Sequence, residues 1–287
     1  MKKTVSITLA GIFLVIALFS GYQLWRYSAD EQQTENLFDH LSARVERPPD
    51  TSPEPGSEDT AWTVNDQYGP LFEQNPDMIG WIAIDGTGID YPVMQTPDTP
   101  NYYINHNFEK LRSKSGVPYA VEGSKIDPQS DNITIYGHHM RSGKMFAALG
   151  KYKDKNFYLE HPVIRFDTRA GFGTYEIIAA FKTTLANFPF HLFIDASNEA
   201  AFDEYISRCK ELACYDTGID AKYGDKLISL STCEYSQNDG RLVVVAKKIA
   251  EKAADDAKYM EVFRNIRLFP LIPFQRMNCL LPLRIGR

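Results

Sequence analysis

The sequence is short of the features that mark a nucleic-acid binder, a disulfide-stapled scaffold or a nucleotide enzyme. Basic residues are outnumbered: 31 Lys+Arg against 37 Asp+Glu leave a formal charge of −6, whereas a nucleic-acid surface is normally basic. Cysteine is scarce, with 4 in 287 residues (Cys209, Cys214, Cys233 and Cys279), too few for a disulfide framework. There is no G-x-G-x-x-G, no Walker loop and no HExxH, and no internal repeat. What remains, 44% hydrophobic and 24% charged, is ordinary globular composition, neither disordered nor collagenous.

Charge is also missing from one long stretch. Met1-Lys2-Lys3 precedes TVSITLAGIFLVIALFSGYQLW, Thr4 to Trp25, and the next charge is Arg26. At 1.5 Å per residue this run extends about 33 Å, enough to cross a bilayer core. The lysines before it favour a cytoplasmic N-terminus. The rival reading, a cleaved signal peptide, has a shorter apolar region and a small-residue cleavage site; no convincing A-x-A follows here. The expectation is an uncleaved anchor over 4–25, with residues 1–3 in the cytoplasm and the rest of the chain on the outer side. Ser28-Ala-Asp-Glu31 reads as a capping box. Leu37, Phe38, Leu41 and Val45 then recur at helical spacing, predicting an amphipathic helix to about Arg47. Pro48, Pro49, Pro53 and Pro55 mark an extended linker to Thr60, so that 26–60 is expected to be a stalk.

From about 61 to 250 the pattern is that of a compact β domain. A short helical stretch (Val64, Leu71, Phe72) is followed by eight candidate strands: Trp81–Asp85, Tyr91–Met94, Val117–Val121, Ile133–Tyr136, Val163–Asp167, Tyr175–Lys182, Lys226–Thr232 and Leu242–Lys248. They are rich in Val, Ile, Tyr and Thr and separated by Gly, Pro, Asp and Asn. One strong helix interrupts them, with Ser197 as its predicted cap and Phe202, Tyr205, Ile206, Cys209 and Leu212 on one face. Many short strands with few long helices favour a closed barrel or a sandwich over a doubly wound sheet.

Two motifs carry chemistry. DKLISLSTC ends a strand on Cys233, and Arg241 opens the next strand, LVVVAKK. An antiparallel pairing, as the short connection suggests, sets Cys233 opposite Arg241, whose guanidinium stabilises a thiolate or a developing oxyanion without losing its proton. NITIYGHHM runs a strand into Gly137, His138 and His139. A histidine there is placed to exchange protons with a cysteine from another strand end, the pairing that nucleophilic catalysis needs. A cysteine at a strand end is also commonly a small buried hydrophobe, and two loop histidines are commonly surface. On spacing alone both readings stay open.

Together, ITIYGHHM, KLISLSTC and EYSQNDGRLVVVAKK resemble the sortases of Gram-positive bacteria, class B in particular. The family pattern is a histidine after a strand-ending glycine, a T/S-L-x-T-C motif and an arginine on the next strand; here the motif reads Ser229-Leu-Ser-Thr-Cys233. The resemblance covers about 61–250, including NPDMIGWIAIDGTGIDYPVMQ and NYYINHNFEKLRSKSGVPY, and the helix at 198–212 matches the extra helix of class B. It implies a mainly β fold: an eight-stranded sortase-type barrel with N-terminal helices and one helix before the cysteine strand. It further implies a cysteine transpeptidase of peptidase/acyltransferase type that requires no metal or other cofactor. Cys233 is expected to attack a sorting signal near the C-terminus of a secreted surface protein. An amine of a peptidoglycan precursor or cross-bridge is expected to resolve the thioester. His138, directly after the glycine, is expected to be the acid and base, and Arg241 to hold substrate and oxyanion. By similarity Asn105, Tyr136, Ser231 and Glu234 are groove candidates. Tyr136 reads equally as core, Ser231 and Asn105 as strand or turn hydrogen bonders, and Glu234 as surface.

The chain departs from the family at its end. After Glu261 there is no acidic residue, while Arg264, Arg267, Arg276, Arg284 and Arg287 remain, and prolines break the apolar runs. Residues 251–287 are expected to be a poorly ordered tail with no catalytic role, the other reading being a tail on an anionic membrane surface. Competing functions are pilin polymerisation with a lysine acceptor, a cell wall cysteine peptidase, and a membrane-tethered adhesion or scaffold domain. Membrane lipid is an expected partner through the N-terminal helix; nucleic acid is not.

Overall fold

The computed structural model describes residues 2–45, 63–236 and 238–249, with side chains of the N-terminal helix described from Gly11 onward, Tyr27 and Glu35 excepted. The Pro48–Thr60 linker, the 251–287 tail and Cys279 lie outside these residues. Eight strands form: β1 (Met78–Ala83), β2 (Asp90–Met94), β3 (Tyr119–Ala120), β4 (Asn132–Tyr136), β5 (Val163–Thr168), β6 (Thr174–Thr184), β7 (Leu227–Cys233) and β8 (Gly240–Ile249). They close into one barrel in the order β1-β2-β3-β4-β7-β8-β6-β5, which decides between barrel and sandwich. Two neighbouring pairs, β2–β3 and β4–β7, are parallel, and the other pairs are antiparallel.

The third strand is shorter than the predicted Val117–Val121. Gly116 takes a positive φ of 57°, Pro118 has no N–H to give a ladder, and Val117 N–H donates instead to Tyr103 O at 3.1 Å. Pairing is therefore left to Tyr119 and Ala120.

The apolar run of β8 follows from burial on both faces. Leu242, Val244 and Ala246 point into the main core with Ile133, Ile135 and Leu230. Val243 and Val245 point the other way, into a second core with Phe181, Phe190, Leu227 and the buried face of the helix Glu199–Leu212. Strands covered on both sides lose the alternation of half-exposed ones. That helix starts one residue later than the sequence suggests: Asn198, not Ser197, is the cap, its Oδ1 accepting from Ala201 N–H at 3.0 Å. Cys209 is fully buried on the predicted face, and burial pushes its thiol pKa well up.

The N-terminal helix corrects a third expectation. It is one element, α1 (Lys2–Ala43), so no new helix starts at Ser28. Nothing from Trp25 to Asn36 is proline or glycine, and extending a helix costs less than nucleating another. The second helix, α2 (Val64–Gln74), begins at a Thr63–Asp66 capping box. The amphipathic face of α1 is real, but the domain covers it: Phe38 and Leu41 are buried, and Phe38 meets Tyr91 edge-on at 5.1 Å. Thr34 Oγ1 lies 3.0 Å from Ser113 Oγ, and Ser42 Oγ donates to Asp90 Oδ2 at 3.0 Å. Residues 30–42 are thus docked on the barrel. Among the described residues no helix is long and apolar enough to cross a membrane.

Candidate active site

β7 and β8 place the cysteine and the arginine. Their antiparallel register pairs Cys233 with Arg241, and Arg241 Nη1 lies 3.9 Å from Cys233 Sγ. The guanidinium is steadied by its donation to Gly240 O at 3.0 Å. Cys233 is half-buried, accessible to a substrate yet fixed by a strand whose preceding residues, Leu227 to Thr232, are all buried.

β4 delivers the histidine. It runs parallel to β7 with Tyr136 opposite Ser231. Just beyond the pair, Gly137 N–H donates to Ser231 O at 3.1 Å and Thr232 Oγ1 donates to Gly137 O at 2.8 Å. The glycine is dictated by space: a Cβ there would lie 2.5 Å from the ring of Phe146. His138 follows, with Nε2 2.7 Å from the Ile104 carbonyl oxygen. A carbonyl only accepts, so Nε2 carries the proton, and in the neutral ring Nδ1 is the free acceptor. The Ile104 carbonyl therefore sets the tautomer of His138 from a segment far away in sequence.

His138, Cys233 and Arg241 line one cavity of about 420 Å³, together with Tyr136 and Ser231. Its other walls include Ile104, Tyr119, Leu185 and His191, with Glu122 at the polar side. Ser231 is fully buried and its hydroxyl has no partner. Burial pushes the Tyr136 phenol up to about 12, against the opposing effect of the Arg241 charge, so it stays protonated at neutral pH.

Two groove candidates lie elsewhere. Asn105 is exposed at the end of the 3-10 turn Tyr102–Ile104, and its carbonyl accepts from Ser113 N–H at 3.0 Å. Its neighbour Ile104, not Asn105, reaches the cavity. Glu234 is buried, not solvated surface, and is absent from the cavity wall. Its carboxylate accepts from Ser236 N–H at 3.0 Å and pairs with Lys153 Nζ at 3.5 Å. Burial alone would raise its pKa, but the Ser236 hydrogen bonds and the Lys182 and Lys153 charges outweigh this and hold it below the usual range.

His139 faces away from the cysteine side chain. Its Nδ1 lies 3.1 Å from Cys233 O, and its ring lines a separate cavity of about 560 Å³. Sequence reasoning missed Ile104, although it lies in the quoted segment NYYINHNFEKLRSKSGVPY, and Glu122, Leu185 and His191, which sit in no motif. His191 is the most informative of them: its Nδ1 is buried without a partner, and burial lowers its pKa. Among the described residues no three His, Cys, Asp or Glu side chains gather as a metal site.

The chain resembles known proteins in sequence and in fold. The Sortase domain family matches residues 82–249. The chain is 28% identical to sortase B of Listeria monocytogenes over 253 residues, 88% of this chain and 98% of that protein. It is 27% identical to sortase B of Staphylococcus aureus, covering 87% of this chain and 98% of that protein. Among solved structures, it resembles sortase B from Bacillus anthracis in complex with AAEK1. The TM-score is 0.66 at 27% identity, over 78% of this chain and 99% of that one. A Staphylococcus aureus sortase B–substrate complex gives a TM-score of 0.61 at 26% identity, over 81% and 98%.

Proposed function

Because the chain belongs to the sortase family, and to its class B, we propose that this transpeptidase cleaves a C-terminal sorting signal and joins the acyl product to a peptidoglycan amine. The observation that carries the reading is the convergence of Cys233, Arg241 and His138 on one cavity. In this reading the Cys233 thiolate attacks the scissile carbonyl, and Arg241 stabilises the oxyanion that develops beside it. Protonated His138 donates from Nδ1 to the leaving amine, and the Cys233 thioester forms. The now neutral Nδ1 later takes the proton of the incoming amine. Tyr136 and Ser231 bind the donor peptide within the cavity. Asn105 and Glu234 act at one remove, Asn105 beside the Ile104 carbonyl and Glu234 by holding the loop after β7.

We place the enzyme at the cell membrane as a single-pass protein, anchored by Thr4–Trp25 with the domain of about 61–250 outside. Secreted substrates reach that surface, and confinement raises the frequency of encounter. The apolar run of the sequence supports the anchor, and the docking of residues 30–42 on the barrel implies that the domain stays close to it. Residues 251–287 take no part in catalysis, so truncation after 255 leaves soluble activity unchanged.

The test is product analysis. The enzyme and its C233A variant are incubated with a panel of sorting-signal peptides and diglycine or diaminopimelate, and products are weighed by mass spectrometry. A Cys233-dependent, amine-ligated product supports transpeptidation to the wall. Free acid alone points to a peptidase, and ligation only to a lysine side chain points to pilin assembly.

A further inference from the structure

A transpeptidase handles two substrates, and the cavity at Cys233 accounts for one. A second cavity, of about 560 Å³, is lined by residues that neighbour the first cavity's in the chain. Consecutive residues divide the two: His138 lines one and His139 the other. The Cys233 side chain faces the first, while its carbonyl meets His139 Nδ1 at 3.1 Å. Tyr235, two residues after the cysteine, lines the second cavity and donates its hydroxyl to His139 O at 3.2 Å.

The lining of this cavity has one sign of charge. Arg141 and Lys151 are its cations, both exposed, and no carboxylate side chain lines it. This is notable in a chain of net charge −6, and the first cavity does include a carboxylate, Glu122. Lys151 Nζ lies 5.6 Å from the centroid of the Phe157 ring, which also lines the site. His139 is fixed as an acceptor by the same logic as its neighbour. A carbonyl partner makes Nδ1 the donor, which leaves Nε2 of the neutral ring free to take an N–H.

We propose that this second cavity binds the acceptor, an amine-bearing peptide that also carries carboxylate, with Arg141 and Lys151 holding the carboxylate. The inference rests on the transpeptidase reading and assigns its second substrate a place. In the step it serves, the acceptor nitrogen forms a C–N bond to the thioester carbon and the C–S bond breaks. The acceptor enters as the neutral amine, its ammonium proton already lost to water; Cys233 Sγ leaves as thiolate, and the proton shed by the attacking nitrogen passes to neutral His138. An arginine is suited to this by its planar, bidentate match to carboxylate.

The experiment uses the full chain, a donor peptide that acylates Cys233, and two acceptors that differ only in charge, diglycine and diglycinamide. The proposal expects diglycine to be captured in preference, and expects the R141Q–K151Q double variant to raise its KM roughly fivefold. The thioester formation rate and the diglycinamide KM are expected to stay unchanged. An unaltered preference in the double variant overturns the proposal and makes the two cations solvated surface only. A second measurement needs no donor: titrating C233A with diglycine is expected to shift the ring NMR signals of Tyr235 and Phe157, and a flat titration also overturns the site. If no donor acylates Cys233, the transpeptidase reading falls, and the titration still decides whether the cavity binds the acceptor.

Discussion

The floor and the walls of the catalytic cavity are held by different means. The floor is three strand ends, β4, β7 and β8, tied by continuous ladders and packed on both sides by hydrophobic core. The walls are segments between strands: Ile104 on a single 3-10 turn, Leu185 just past β6, and His191 on the turn Phe190–Leu192. A strand end is fixed by its neighbours, so it suits groups that must meet to within a fraction of an ångström. The connecting segments vary without disturbing the barrel, and so suit selectivity among donors. Chemistry on the floor and selection chiefly on the walls, joined by the buried Ser231 of β7, is the division of labour that this arrangement supports.

Substitutions on the floor test the first half and carry the largest effects. C233A is expected to abolish thioester formation. H138A is expected to lower turnover about 10²–10⁴-fold, and R241A about 10²–10³-fold through loss of the oxyanion partner; all three keep the wild-type melting temperature. Steady-state rates with one fluorogenic donor, set beside thermal melts, check this. If R241A lost rate only by unfolding, Arg241 would be structural.

G137A is the next in size and tests how tightly the floor is packed. Its Cβ falls 2.5 Å from the Phe146 ring, so overpacking is expected to cost about 1–3 kcal/mol and to displace His138. Urea denaturation gives the stability, and an unchanged midpoint would mean that the wall at Phe146 yields.

H191L and S231A sharpen the comparison, because each removes a buried group without a partner in the free enzyme. An unpaired buried polar atom costs about 1–3 kcal/mol. Each variant is therefore expected to fold at least as well as the parent, while kcat/KM across a donor panel changes in rank order. A uniform change for all donors would deny these groups a role in selection.

The smallest effect belongs to Glu234. Its folded pKa lies below the ordinary value, so the stability it contributes is complete above the unfolded pKa and is lost as pH falls through the folded one. E234Q is expected to flatten that acid limb of the stability curve and leave neutral-pH turnover nearly unchanged.

What could be read from the sequence follows the same division. All eight strands are legible because alternation and β-branched residues write themselves locally, and Cys233 and Arg241 become neighbours through one short antiparallel connection. His138 is legible because a glycine forced by Phe146 precedes it. The parallel contact of β4 with β7, spanning 95 residues between Tyr136 and Ser231, has no local signature. Neither does the Ile104 carbonyl that sets the His138 tautomer, since any residue could supply it. Asn105 illustrates the limit: the right segment is legible, but which of two adjacent residues turns inward depends on a 3-10 turn that only tertiary contacts settle. The docking of α1 is half legible, its apolar face in the sequence and the surface that covers it only in the fold.

The most direct test of the account is where the acyl group lands. The full chain, whose free thiols among the described residues are Cys209, Cys214 and Cys233, is quenched in acid during turnover of a donor peptide, digested and mapped by mass spectrometry. The account predicts a thioester on Cys233 alone, accumulating when no amine is present and discharged when diglycine is added. Acylation of another cysteine, or donor cleavage that proceeds unchanged in C233A, would contradict it.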